Sequence, residues 1–263
     1  MAEVAPGVFV ATAELYMTTT TVVAGADGGC LVIDPAVTPA DVAALGSWLG
    51  SRGLRPVAAW STHPHWDHLL WGRELGADVP RYATPAAVAA VSSRRADLLA
   101  ELAESAPGHD EALFARVVAL AGDSIPWEGP PAQVLAHSAH VPGHGAVYLP
   151  SSGVLIAGDM CSDIEIPLLD LSSADPFRSY RAGLSRLASL AGVRVAVPGH
   201  GHVGDAAAFR SRVAADFAYL DALAGGAEVD DPRLAGAADW LRAEHARQLR
   251  FARLHDRGPL GGR

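Results

Sequence analysis

Residues 62–68 read Thr62-His63-Pro64-His65-Trp66-Asp67-His68. Four potential metal ligands, His63, His65, Asp67 and His68, stand within six residues, directly after the apolar run Pro56–Ser61. That run predicts a strand, so the cluster lies at the strand's C-terminal end, where α/β sheets bind their ligands. His63 and His65 are two apart, and an extended loop can aim both imidazoles at one point. Asp67 and His68 then turn the other way and can serve a second point. A lone histidine is usually structural or solvated, but four ligands packed as H-x-H-x-D-H are a different matter.

Three further segments repeat the arrangement. Val141-Pro142-Gly143-His144 closes a strand-like stretch. Leu155-Ile156-Ala157-Gly158-Asp159 delivers a carboxylate from a buried strand. Val195-Ala196-Val197-Pro198-Gly199-His200-Gly201 delivers another histidine. Each is an apolar run, a small-residue turn and a ligand-type side chain. Glycine lets backbone approach a metal without a Cβ clash, and an aspartate just past an apolar strand is costly unless paired or liganded.

Around these segments the chain alternates elements. Val8–Ala11, Met17–Ala24 and Cys30–Ile33 predict strands, the last two joined by a turn at Asp27-Gly28-Gly29. A helix capped by Thr38 or Asp41 runs to about Arg52. Strand, helix, and then the strand at 56–61 imply a crossover with parallel pairing. The stretch Pro85–Ala121 predicts helix, broken at Pro107-Gly108. Gln133–Ala136, Ala146–Pro150 and Val154–Ala157 predict strands, with a hairpin at Gly153. Pro176–Leu190 predicts helix and Val193–Val197 strand. From Asp205 to about His255 the pattern is helical, broken at Gly225-Gly226 and Pro232, and the last residues, Gly258–Arg263, are expected to fray. Periodicity alone therefore gives a mixed α/β class.

Composition narrows the function. The 263 residues are 50% hydrophobic and 19% charged, so disorder is not expected. The net charge of −9 argues against nucleic acid as a partner. All 20 basic residues are arginine, which removes Schiff-base and P-loop lysine chemistry. The two cysteines, Cys30 and Cys161, make neither a disulfide framework nor a thiolate zinc site. No basic, apolar leader opens the chain and no run of about 18 apolar residues occurs. A cytoplasmic protein without a membrane partner is the expectation.

Taken together, Asp34, His63–His68, His144, Asp159 and His200 resemble, in order, the five motifs of the metallo-β-lactamase-fold superfamily, in its glyoxalase II-like dinuclear branch. The resemblance covers about residues 4–205. It implies a four-layer αβ/βα sandwich over residues 1–205, with a helical insertion at about 85–121, followed by a helical C-terminal extension, 206–263. It also implies a ligand set: His63, His65 and His144 on one metal, Asp67, His68 and His200 on the other, and Asp159 bridging. Asp34 would orient the ligand loop without binding metal. The cofactors implied are two divalent ions, zinc first, with iron or manganese as alternatives, since the donors are all nitrogen and oxygen.

The implied chemistry is hydrolysis. A metal-activated hydroxide, oriented by Asp67 as the catalytic residue, attacks the carbonyl of a small-molecule thioester, ester or lactone. No G-x-S-x-G nucleophile elbow is present. A locally positive metal core favours anionic or carbonyl-bearing substrates. The alternatives are a mononuclear iron persulfide dioxygenase, β-lactam hydrolysis, or a non-catalytic metal-binding scaffold. Asp159 argues against β-lactam hydrolysis, because the lactamase subclass sharing H-x-H-x-D-H lacks that bridge. A homodimer is allowed.

Other residues carry weaker expectations. Cys161, two past Asp159, is expected as a buried or pocket-edge thiol. His140 is placed in a supporting or structural role, and His202 outside the ligand set. His109, His245 and His255 are expected in solvent. The acidic run Ser162–Asp170 either recognises a cationic or hydroxylated substrate through Asp163 or Glu165, or is a polar loop with an apolar plug. Trp66 either lines the pocket or supports the loop from below. The insertion at 85–121 is either a lid or a rigid outer layer. Arg247, Arg250, Arg253 and Arg257 form a stripe able to clamp an anion or face a partner subunit.

Overall fold

The computed structural model describes residues 1–35 and 37–255. Arg257, the fraying expected at 258–263 and the His255 side chain lie outside what it describes.

The first half builds a seven-stranded sheet. Strands β1 (Ala2–Ala5), β2 (Val8–Thr12), β3 (Thr19–Ala24) and β4 (Gly29–Ile33) pair antiparallel in sequence order. Helix α1 (Pro39–Ser51) then crosses over, and β5 (Arg55–Trp60) pairs parallel with β4, as the strand–helix–strand pattern required. Thr38 caps α1 reciprocally with Asp41: the Thr38 hydroxyl accepts from the Asp41 N–H at 3.1 Å and the Asp41 carboxylate accepts from the Thr38 N–H at 3.0 Å. The short β6 (Arg81–Ala83) follows, then α2 (Pro85–Ser105) and the parallel edge strand β7 (Val118–Ala119).

The second half builds a five-stranded sheet in the order β12-β11-β10-β9-β8. Its members are β8 (Gln133–His137), β9 (His144–Leu149), β10 (Val154–Gly158), β11 (Val195–Pro198) and β12 (Gly204–Asp205). Helix α3 (Pro176–Ala188) joins β10 to β11, and that pair is parallel. Helices α4 (Ala206–Ala224) and α5 (Asp239–His255) complete the chain.

The layers follow from which faces are apolar. Strand β4 reads Gly-Cys-Leu-Val-Ile and is buried on both sides, as a strand covered on both faces must be. Leu31 and Ile33 face the second sheet, joining Val134, Val147, Val154, Ile156 and Val197 in the central core. Cys30 and Val32 face the other way, against Val42, Leu45 and Leu49 of α1. The outer face of the second sheet packs Leu155, Ala157 and Ala196 against Tyr180 and Leu184 of α3, Leu220 and Leu223 of α4, and Leu241 and Ala252 of α5. The architecture is thus a four-layer αβ/βα sandwich, and the C-terminal helices share a core with the second sheet. No described helix is long and apolar enough to cross a membrane.

Two expectations at the element level change. The helical run expected to Ala121 stops at Ser105, with Ala106 leaving helical geometry at φ −145° before Pro107-Gly108. Beyond the break, Val118–Ala119 can pair with β6, and that pairing wins over intrinsic helix propensity. The strand expected from Met17 starts at Thr19, because Leu15–Met17 form a tight turn with Tyr16 and Met17 at φ 56° and 51°. Such strain in non-glycine residues persists only where surroundings impose it. Here the Tyr16 carbonyl accepts a hydrogen bond from His200 Nδ1, and the Met17 carbonyl accepts from the Gly201 N–H.

Candidate metal centre

The donor side chains sit where the two sheets meet. β5 ends at Trp60 and delivers His63 and His65 from an extended loop, then Asp67 and His68 from one 3-10 turn, Trp66–His68. β10 and β11 run parallel, so Asp159 and His200 leave the same edge of the second sheet. The hairpin turn before β3 is stitched to that edge: the Thr19 N–H donates to the Gly199 carbonyl at 2.8 Å and the Thr19 hydroxyl to the Pro198 carbonyl at 2.6 Å.

Two groups of donors result. His63, His65, His140 and Asp159 form one, and Asp67, His68 and His200 the other; within each, ligand atoms lie within 4.8 Å of one another. Asp159 spans both. Its Oδ2 is 3.2 Å from His63 Nε2 and 3.4 Å from His200 Nε2, while its Oδ1 is 3.2 Å from His68 Nε2.

Hydrogen bonds on the far side of each ring assign the tautomers. His63 Nδ1 donates to the Thr62 hydroxyl at 3.0 Å, His68 Nδ1 to Asp34 at 2.9 Å, His140 Nδ1 to the Leu168 carbonyl at 2.9 Å and His200 Nδ1 to the Tyr16 carbonyl at 3.0 Å. Each therefore turns an Nε2 lone pair inward. The inward nitrogens crowd together: His63 Nε2 and His65 Nδ1 at 3.0 Å, His65 Nδ1 and His140 Nε2 at 3.2 Å, His68 Nε2 and His200 Nε2 at 3.4 Å. Nitrogen donors packed at that range, beside the buried Asp67 and Asp159 carboxylates, call for positive charge between them. The donor set therefore fits a pair of divalent cations.

The electrostatics carry the same message. Burial disfavours a charged imidazole, yet the Asp159 and Asp67 carboxylates lift His68 well above its ordinary value, and Asp159 above all lifts His200. On the other group, burial and the neighbouring imidazoles drive His65 well below, and burial holds His140 down at about 4. These rings stay neutral, the form a metal requires.

Glycines make the room. A Cβ on Gly199 would collide with Asp159 Oδ1, and one on Gly158, at φ 58°, would collide with His144 Nε2.

Six of the seven expected ligands, His63, His65, Asp67, His68, Asp159 and His200, come together in this way. His144 does not join either donor group. It opens β9, fully buried, with its ring stacked 5.1 Å from His63 and 4.4 Å from His137. His140, expected only as support, stands in its place, with Nε2 3.5 Å from Asp159 Oδ2. The two histidines are four apart, and the glycines flanking His144 favour it in the sequence, whereas the structure groups His140 with the other donors. His140 lies in the loop between β8 and β9, free to point along the edge, whereas a residue within β9 must point into a sheet face.

Asp34 matches its expected role. At the end of β4 it accepts from the Thr62 N–H at 2.9 Å and the Thr62 hydroxyl at 2.6 Å as well as from His68. Cys161 is buried in the core with its thiol pushed well up by desolvation, outside both donor groups. His202 is paired with Asp163 on the surface. Trp66 packs edge-on to Tyr16 at 6.2 Å and lines none of the clefts beside the centre. The region 85–121 likewise lines none of them. Its helix shares an apolar cluster with Val37, Leu69 and Leu70 and supports the ligand turn from outside.

Above the donors opens a cleft of about 340 Å³ walled by Tyr16, His65, Asp67, His140, Glu165, Leu168 and Trp240. Burial holds the Glu165 carboxyl up at about 7, with Asp159 and Asp67 adding to the rise against the pull of His200. Leu168 and Glu165 come from the loop after β10, and Trp240 from α5, so the extension contributes to the cleft.

Several solved structures resemble this one. "TTHA1623 in a di-iron-bound form" is 29% identical, covering 75% of this chain and 94% of its own, with a TM-score of 0.60. The metallo-beta-lactamase family protein TTHA1429 from Thermus thermophilus is 24% identical, covering 95% and 91%, at TM-score 0.66. The DIM-1 metallo-beta-lactamase is 18% identical, covering 81% and 94%, at TM-score 0.58. Among curated proteins no sequence relative matches. The metallo-beta-lactamase superfamily description fits residues 13–200, the span that carries every donor, and the chain belongs to that superfamily.

Proposed function

We propose that this protein is a dinuclear metal-dependent hydrolase of small carbonyl compounds: thioesters, esters or lactones. The single observation that carries the proposal is Asp159, whose two oxygens reach histidines of both donor groups. His63, His65 and His140 would hold one ion, Asp67, His68 and His200 the other, with Asp159 between them. When bound, such ions lower the pKa of a coordinated water to about 7 and polarise a carbonyl.

The chain's own residues supply the rest. Asp67 lines the cleft, where its carboxylate would accept a hydrogen bond from the attacking water and fix that water's orientation. Asp34, Thr62, Leu168 and Tyr16 hold the imidazoles so that little reorganisation remains at the reacting moment. Leu168 and Trp240 exclude bulk water from one side of the cleft.

The di-iron state of TTHA1623 supports iron beside zinc as the occupant, since nitrogen and oxygen donors accept either. Metal quantitation on the purified chain, followed by a panel of thioesters, lactones, β-lactams and phosphodiesters, tests the proposal. About two ions per chain and chelator-sensitive turnover of a carboxylic ester or thioester are expected. One iron per chain with no hydrolysis would replace it with the mononuclear oxygenation alternative.

A further inference from the structure

Glu165 is a buried carboxyl to which His200 lends charge but no described residue donates a hydrogen bond. Its side chain lines the cleft over the metal centre and an adjoining one, and the residue is only 7% exposed. Its hydrogen bonds are made by backbone alone: its N–H donates to the Ser162 hydroxyl at 3.1 Å, and its carbonyl accepts from Arg233 at 3.0 Å. Among the described residues no donor reaches the carboxylate. Buried carboxylates are normally paired, so one left open inside a cleft points to a partner that arrives from outside.

The cleft walls say which partner. Apart from the candidate ligands, the charged residues lining the two clefts are Glu14, Asp163, Glu165 and Arg233. Arg233 is spent: it is doubly bonded to Asp231, pairs with Asp216, and donates to the Ser162 and Glu165 carbonyls. Asp163 is answered by His202 and Arg212. Glu14 and Glu165 remain, both acidic. Two half-exposed aromatics, Tyr16 at 42% and Trp240 at 45%, wall both clefts. An open carboxylate among aromatic faces is the chemistry that takes an organic cation. In the neighbouring cleft Arg247 is bonded twice to Glu244, so the anion clamp expected from the arginine stripe is closed there.

The loop is also held at a fixed place. The Ser162 hydroxyl donates to the His200 carbonyl at 2.8 Å, tying the Glu165 turn to a donor residue's backbone. A group gripped by Glu165 is thus set at a constant distance from the metal centre.

We propose that Glu165, with Tyr16 and Trp240, is the specificity-determining site for a substrate carrying an ammonium group beside its scissile carbonyl. The proposal rests on the hydrolase reading. The test compares acetylcholine with 3,3-dimethylbutyl acetate, its uncharged isostere, on the metal-loaded full chain, and titrates choline separately by calorimetry. The expected result is a kcat/KM at least about tenfold higher for the cation, with the ratio falling to within about threefold of one in Glu165→Gln. Choline affinity should fall about tenfold in the same variant. Equal turnover of the two esters by the wild-type chain overturns the proposal and leaves the hydrolase reading standing. Unchanged choline affinity in Glu165→Gln also overturns it. If neither ester is cleaved but choline binding is lost with Glu165→Gln, the recognition site holds and the hydrolase reading falls.

Discussion

His68 Nδ1 donates to Asp34 Oδ2 at 2.9 Å, and the same oxygen takes the Thr62 hydroxyl at 2.6 Å. One carboxylate therefore sets both the tautomer of a donor and the path of its loop. Asp34 sits at φ 46°, a conformation that asparagine also tolerates. Asp34→Asn should keep the fold by circular dichroism and weaken metal binding about 10–100-fold in a chelator competition. Unaltered affinity would show that the imidazole needs no anchor.

The exchange of His140 for His144 gives a clean pair of variants. His140→Ala should cut bound metal towards one ion per chain by elemental analysis. His144→Ala should retain both ions by the same analysis, since the ring is buried outside both donor groups. The opposite pattern of metal content would restore His144 to the ligand set.

Gly199 allows no side chain, since a Cβ there would collide with Asp159 Oδ1. Gly199→Ala should push the carboxylate off its position between the donor groups. The expected readout is loss of the second ion in a metal titration with little change in secondary structure. Full loading at wild-type affinity would contradict the tight approach.

A pH effect on stability is expected from Asp216. Burial holds its carboxyl up at about 6, although the Arg233 guanidinium pulls it back down. The unfolded value is near 3.9. Between these values the folded chain keeps a proton that the unfolded chain has released. The contribution is therefore full below about pH 4 and is lost as pH rises through about 6. Its size is roughly 3 kcal/mol, from about two pKa units. Urea unfolding of wild type and Asp216→Asn at pH 4 and pH 6.5 isolates it, because the other titrating groups are common to both. The wild-type advantage should shrink towards the higher pH, and a difference independent of pH would refute it.

Much of this was legible because the chemistry is concentrated at strand ends. His63 to His68 follow a short apolar run, and Asp159 and His200 follow two others, so position and residue type coincided. Strand β4 and helix α1 were readable from alternation and capping. What escaped depends on distant partners. β6 and β7 are three and two residues long and exist only because the sheet extends to them. The Tyr16 turn takes strained geometry to satisfy His200, 184 residues away. His140 is distinguished from His144 by which of them lies within a strand, and a four-residue spacing does not carry that information. Glu165 was one of two acidic candidates in its loop. Only the pairing of Asp163 with His202 and Arg212 separates them.

Each donor group draws members from both halves of the sandwich: His63 and His65 with His140 and Asp159, Asp67 and His68 with His200. Cations held there would act as rivets through the seam. Metal at a hundredfold excess over its dissociation constant would add about 2.7 kcal/mol per site to the cohesion of the halves. Metal supply in the cell would then bear on the protein's lifetime as well as its turnover, because ions there would reinforce a seam otherwise closed by the apolar core alone.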